Sequence, residues 1–301
     1  MRLYSARQPT MPWYLYSFPT AFSFVGLYLC VKWLTSRGFE PKQILLFMIG
    51  FASLGFLGAA APSLPTIVRS SELPSFLAAG SFAGVFAAIG HWADFEAIKK
   101  APNPGFATAI RSSSILPVTV FSVFLFGSSF HPLKLIGALL ILAGVVALVV
   151  ERKASRAGQK WWAVLALVAL ASYTLMVFGM KKATLLGFSP PEIMLCIYIV
   201  NFVFFFAVCR KELQAYVRDK ARLRLFLPVA MICALFAVAA NLLNVKGLEL
   251  APNPGYHEAI RTTNVLFVTL LAIPLFSASF DRLKMIGVVT IVAGTIVLVA
   301  Q

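Results

Sequence analysis

Residues 101–130, APNPGFATAIRSSSILPVTVFSVFLFGSSF, and residues 251–280, APNPGYHEAIRTTNVLFVTLLAIPLFSASF, are identical at 15 of 30 positions. Chance does not produce such a match, so the two stretches are copies of one ancestral segment. The copying extends outward from them. At an offset of 149 or 150, Lys32 falls on Lys181, Gly38-Phe39-x-Pro41 on Gly187-Phe188-x-Pro190, and Ala143-Gly144 on Ala293-Gly294. Two domains follow, a first repeat over residues 1–150 and a second over 151–301.

The copied unit is built for lipid. Of 301 residues, 60% are hydrophobic and 12% charged, with a mean hydropathy of +0.86, and apolar runs near 20 residues recur along the chain. Such runs are the length a helix needs to cross a bilayer. Gly, Pro and charge clusters predict helices over 13–36, 43–61, 74–98, 104–126, 132–150, 160–183, 190–209, 225–247, 254–276 and 283–300. The fold class is therefore all-α integral membrane, with ten transmembrane helices. Five spans per half is an odd number, so the second half enters from the opposite side and the halves form inverted repeats. The segment 151–160 (ERKASRAGQK) reads as the linker between them.

Charge and motifs exclude other classes. Lys and Arg number 26 against 11 Asp and Glu, but the cations fall in short loops between spans, where lipid headgroups rather than nucleic acid are the partner. Loops before even-numbered helices carry sixteen of them and loops before odd-numbered helices seven, which places both termini outside by the positive-inside rule. Cys30, Cys196, Cys209 and Cys233 stand singly in apolar runs and read as packing residues. The basic N-terminus lacks a small-residue cleavage site and reads as an uncleaved first helix. No nucleophile motif, zinc motif or phosphate-cradling loop is present, so no enzyme, metal or cofactor is expected.

Taken with the closing helix of each half, LIGALLILAGVVALVV at 135–150 and MIGVVTIVAGTIVLVA at 285–300, the five-plus-five pattern resembles the drug/metabolite transporter superfamily, and within it the EamA-like ten-helix members. That resemblance implies a secondary transporter of the cell (inner) membrane. It implies alternating access, with amino acid export as the leading activity and phosphorylated or lipid-linked sugars as the alternative cargo. It also implies that the first four helices of each half surround a central cavity while the fifth packs outside. Relatives keep both termini in the cytoplasm, opposite to the charge rule, so orientation stays open.

The residues that could carry transport lie in the repeated stretch. Each Ala-Pro-Asn-Pro-Gly turn removes two backbone donors and starts a new helix. Asn103 and Asn253 are then helix caps or anion contacts at a helix N-terminus. Seven residues past the second proline stand Arg111 and Arg261, about 10 Å along the new helix. An intramembrane arginine is expensive unless it meets water, a carboxylate or a substrate. Ser112, Ser113, Thr262, Thr263 and Asn264 follow directly and could hydrogen-bond the same cargo, as could Trp92 and Tyr173, which lie deeper than the belt aromatics Trp13, Tyr14, Tyr16, Trp161 and Trp162.

A second constellation aligns His91, Asp94, Glu96 and Lys99 with Asn241, Asn244, Lys246 and Glu249. Charge signs are exchanged at two positions, so Glu96 could meet Lys246, or Lys99 meet Glu249, across the pseudo-twofold as a gate. His91, His257, Asp94, Glu96 and Glu258 are candidate proton carriers.

Overall fold

The computed structural model describes residues 12–100, 104–149, 161–276 and 281–300. The predicted linker 151–160 and Asn103 lie outside them. The first half holds α1 (Tyr14–Ser36), α2 (Pro41–Ala60), a 3-10 turn and short α3 (Leu64–Val68), α4 (Leu73–Lys100), α5 (Pro104–Ser112), α6 (Ile115–Phe126) and α7 (Pro132–Val149). The second holds α8 (Trp161–Leu185), α9 (Pro190–Cys209), short α10 (Leu213–Arg218), α11 (Lys220–Leu250), α12 (Pro254–Thr262), α13 (Asn264–Phe276) and α14 (Arg282–Val299). Among the described residues there is no strand, and ten stretches are long and apolar enough to cross a membrane.

Local chemistry sets the boundaries. Gly38 and Gly187 have φ of 77° and 86°. Each closes its helix by donating its N–H to the carbonyl three residues back, Thr35 or Thr184, while the next Phe N–H reaches five back, to Leu34 or Ala183. The proline two residues past that Phe then opens the next helix. α11 starts at Lys220 rather than 225 because Asp219 caps it, its carboxylate accepting from the Arg222 N–H at 3.0 Å.

The fourth and ninth spans are not continuous, contrary to the sequence expectation. Each breaks one residue past its arginine, between α5 and α6 and between α12 and α13. The joints are tightened by bonds to the carbonyl three residues back: Ser114 N–H to Arg111 O (3.1 Å), Leu116 N–H to Ser113 O (3.0 Å), and Thr263 N–H to Ile260 O (3.0 Å). Hydroxyls bonding back to their own helix loosen the regular ladder there, Ser113 to Ala109 O (3.1 Å) and Thr263 to Ile260 O (2.7 Å). Pro117 adds a missing N–H in the first half.

Packing runs chiefly between halves. The most extensive contacts are α4 with α8, α7 with α14, α1 with α11, and α2 with α9. Exchanging the two halves turns α4–α8 into α11–α1 and leaves the other two pairs unchanged. α7 and α14 run antiparallel. A Cβ on Gly137 would lie 2.8 Å from the Gly294 carbonyl, and one on Gly144 would lie 2.7 Å from that of Gly287. Without a hydrophobic drive in lipid, this backbone-to-backbone approach is how helices gain contact. Large apolar side chains such as Phe124, Leu235 and Leu54 point outward and are exposed, as a bilayer-facing surface requires.

Candidate functional site

Arg111 and Arg261 occupy equivalent places, each next to the last residue of a short half-helix, beside its joint. Arg111 Nη1 donates to Asp94 Oδ2 on α4 at 2.9 Å. Arg261 donates through Nε (2.9 Å) and Nη2 to the single oxygen Oε2 of Glu258, one turn back on its own helix. Both carboxylates are buried, with Asp94 6% and Glu258 3% exposed. The arginines differ from them in keeping 22% and 24% of their side-chain surface open although they lie deep in the bundle. Arg261 lies within electrostatic reach of Arg111, and Tyr28 of α1 lies near both. Arg261 lies over the Phe24 ring at 5.4 Å. A guanidinium that is buried, charge-balanced and still open on one edge can receive a planar anion.

Around this pair stands a ring of hydrogen-bonded side chains. His91 Nδ1 meets the Tyr173 hydroxyl at 2.9 Å, joining α4 to α8. Asn241 Nδ2 donates to the Tyr198 hydroxyl (3.0 Å) and to Ala237 O (2.8 Å). His257 is fully used: Nδ1 meets Ser17 Oγ at 2.7 Å and Nε2 donates to Asn244 Oδ1 at 3.0 Å. Its ring fits because Gly247 faces it, where a Cβ would stand 2.4 Å from the imidazole. His257 thus ties α1, α11 and α12 together.

Several candidates fall elsewhere. Asn253 faces protein on every polar atom: Oδ1 caps α12 by accepting from Gly255 N–H (2.8 Å), and Nδ2 donates to Thr119 O (3.0 Å) and Ser129 O (3.2 Å) in the first half. Tyr256 beside it has its hydroxyl accepting from the His131 N–H at 2.9 Å. Thr262 and Thr263 donate to their own helix carbonyls, and Ser112 and Asn264 are buried. Trp92 is exposed on α4. The cross-axis charge pairing does not form: Glu96 pairs with Lys100 at 3.0 Å and Lys246 with Glu249 at 2.9 Å. A partner three or four residues away on the same helix is nearer than one across the bundle.

A cavity of about 670 Å³ opens at one end of the bundle, lined by Thr66, Arg69, Ser70, Phe188 and Glu192 among others, and neither arginine is in its lining. Sequence reasoning missed Tyr28, Phe24, Tyr198 and Ser17. Each is a single polar or aromatic residue inside an apolar run, with no spacing that marks it.

Ten apolar spans define a multi-pass membrane protein, with one charge-balanced arginine per half inside it. Residues 11–150 match the model of the EamA-like transporter family. A solved crystal structure is similar to the chain with a TM-score of 0.75 at 17% identity, covering 95% of this chain and 96% of that one. That likeness concerns the fold alone. No curated protein matches the sequence.

Proposed function

We propose that this chain is a secondary transporter of the cell (inner) membrane that moves small carboxylate-bearing metabolites, amino acids foremost, by alternating access. The observation that carries the reading is the matched pair of buried, charge-balanced arginines with open guanidinium surface, one from each half. Arg111 and Arg261 receive the carboxylate. The site's two positive and two negative side chains already cancel, so a singly charged or zwitterionic cargo fits better than a phosphorylated sugar with two negative charges.

The antiparallel α7 and α14, equivalent helices of the two copies, support an inverted relation between repeats 1–150 and 151–301. An inverted pair can exchange conformations and open a shared site to each side in turn. The sequence contains no nucleotide-binding motif, so a gradient or exchange drives the cycle.

Counterflow of a labelled amino acid mixture in proteoliposomes tests the reading. Wild type should exchange label, and the Arg111→Ala/Arg261→Ala variant, checked for folding, should lose it. Unchanged exchange in that variant would overturn the site.

A further inference from the structure

Asp94 presents an anomaly. Its Oδ2 accepts one bond from Arg111, but Oδ1 is buried and has no hydrogen-bond partner among the described residues. A buried polar atom left unpaired costs free energy and calls for an explanation. A substrate's ammonium group cannot be that partner in this conformation, because the atom is closed to a water-sized sphere. A proton can.

Resting on the carboxylate-transport reading, we propose that Asp94 is where a proton joins the transport cycle: Asp94 and the substrate's carboxylate are rivals for Arg111, and protonation of Asp94 releases the guanidinium to the substrate. When the site opens, water reaches Asp94 and hands a proton to Oδ1, and the new O–H donates back to that water. The ion pair with Arg111 is then lost, and the substrate carboxylate takes Asp94's place as counter-ion. On release the proton leaves and the pair re-forms. Substrate and proton therefore travel together.

The surroundings single Asp94 out. Among the described residues Arg111 from α5 is the charged partner of Asp94, and Tyr173 of α8 lies near both. On its own helix His91 is bonded to Tyr173, and on α9, also packed against α4, Tyr198 is bonded to Asn241. Glu258 takes two N–H bonds from Arg261, and Glu96 is paired with Lys100. In the second half the position of Asp94 is Asn244, which does not titrate.

The test uses the full chain in proteoliposomes with a labelled mixture of the twenty amino acids and a trapped pH dye. In wild type, net uptake should acidify the lumen, and apparent affinity should tighten by up to about tenfold per pH unit lowered, the limit for one linked proton. Asp94→Asn, a mimic of the protonated form, should lose proton-driven accumulation and the pH dependence of whatever exchange it keeps. Asp94→Glu should retain both. Net uptake by wild type without proton movement overturns the proposal even if no variant folds, and so does proton-driven accumulation by Asp94→Asn. Wild type without any amino acid counterflow overturns the parent reading, and this one with it.

Discussion

The two halves hold their arginines at the same place on copied backbones, yet they wire them differently. In the first half the carboxylate comes from a neighbouring helix, so Arg111 ties α5 to α4 through Asp94. In the second it comes from the same helix, and Arg261 with Glu258 makes no such tie. Asn244, where Asp94 would be, instead holds His257, whose own counterpart is Ala107. Each half thus keeps one arginine and one carboxylate, while the link between helices is an ion pair in one and a neutral hydrogen-bond chain in the other. Duplication preserved what the bilayer demands, charge balance, and left its source free to move.

The comparison breaks most sharply at the second-half ion pair. Glu258→Thr, the residue type found at 108, should cost about 3–5 kcal/mol by leaving Arg261 buried and unpaired. Adding Asn244→Asp recreates the first-half wiring and should recover thermal stability in detergent and counterflow. A double variant no better than the single would show that the two schemes cannot be interchanged. Next in size is Gly247→Ala, which puts a methyl against the His257 ring and should lower stability by about 1–3 kcal/mol. Pairing it with His257→Ala copies Ala97 and Ala107 and should regain part of the loss in the same unfolding assay.

Smaller effects sharpen the picture of the second turn. Asn253→Ser keeps a cap acceptor but loses both donors to the first half, a loss of about 1–2 kcal/mol. Helical content by circular dichroism should stay constant while the melting temperature falls, separating cap from clamp. Tyr256→Phe, matching Phe106, removes one hydroxyl bond to the His131 backbone and should cost about 1 kcal/mol. A larger drop would mean that the ring, not the hydroxyl, had been disturbed.

The architecture was legible in the sequence because hydropathy and the copied motif report on the solvent and the backbone, and both are local. The Gly-Phe-x-Pro runs became helix ends, and Pro104 and Pro254 became helix starts, as their restricted dihedrals require. Arg111 and Arg261 stood out because charge in lipid is conspicuous. What stayed hidden depends on partners far apart in the chain. Nothing at position 17 announces a bond to a residue 240 positions later. The joints after Ser112 and Thr262 carry no sequence signal either, since hydroxyls that bond their own helix carbonyls occur in unbroken helices too. The Glu96–Lys246 pairing failed for a related reason, since alignment of copies gives correspondence and not proximity.

The glycine contact between α7 and α14 bears on how the molecule is born. The last span of the first half finds its most extensive partner in α14 of the second, so α7 waits in the bilayer until α14 has been made. Arg111 is protected during that wait because Asp94 precedes it and can pair before any of the second half exists. Assembly is then a late, all-or-none event. Two separately expressed halves should each be degraded alone and rescue one another when made together.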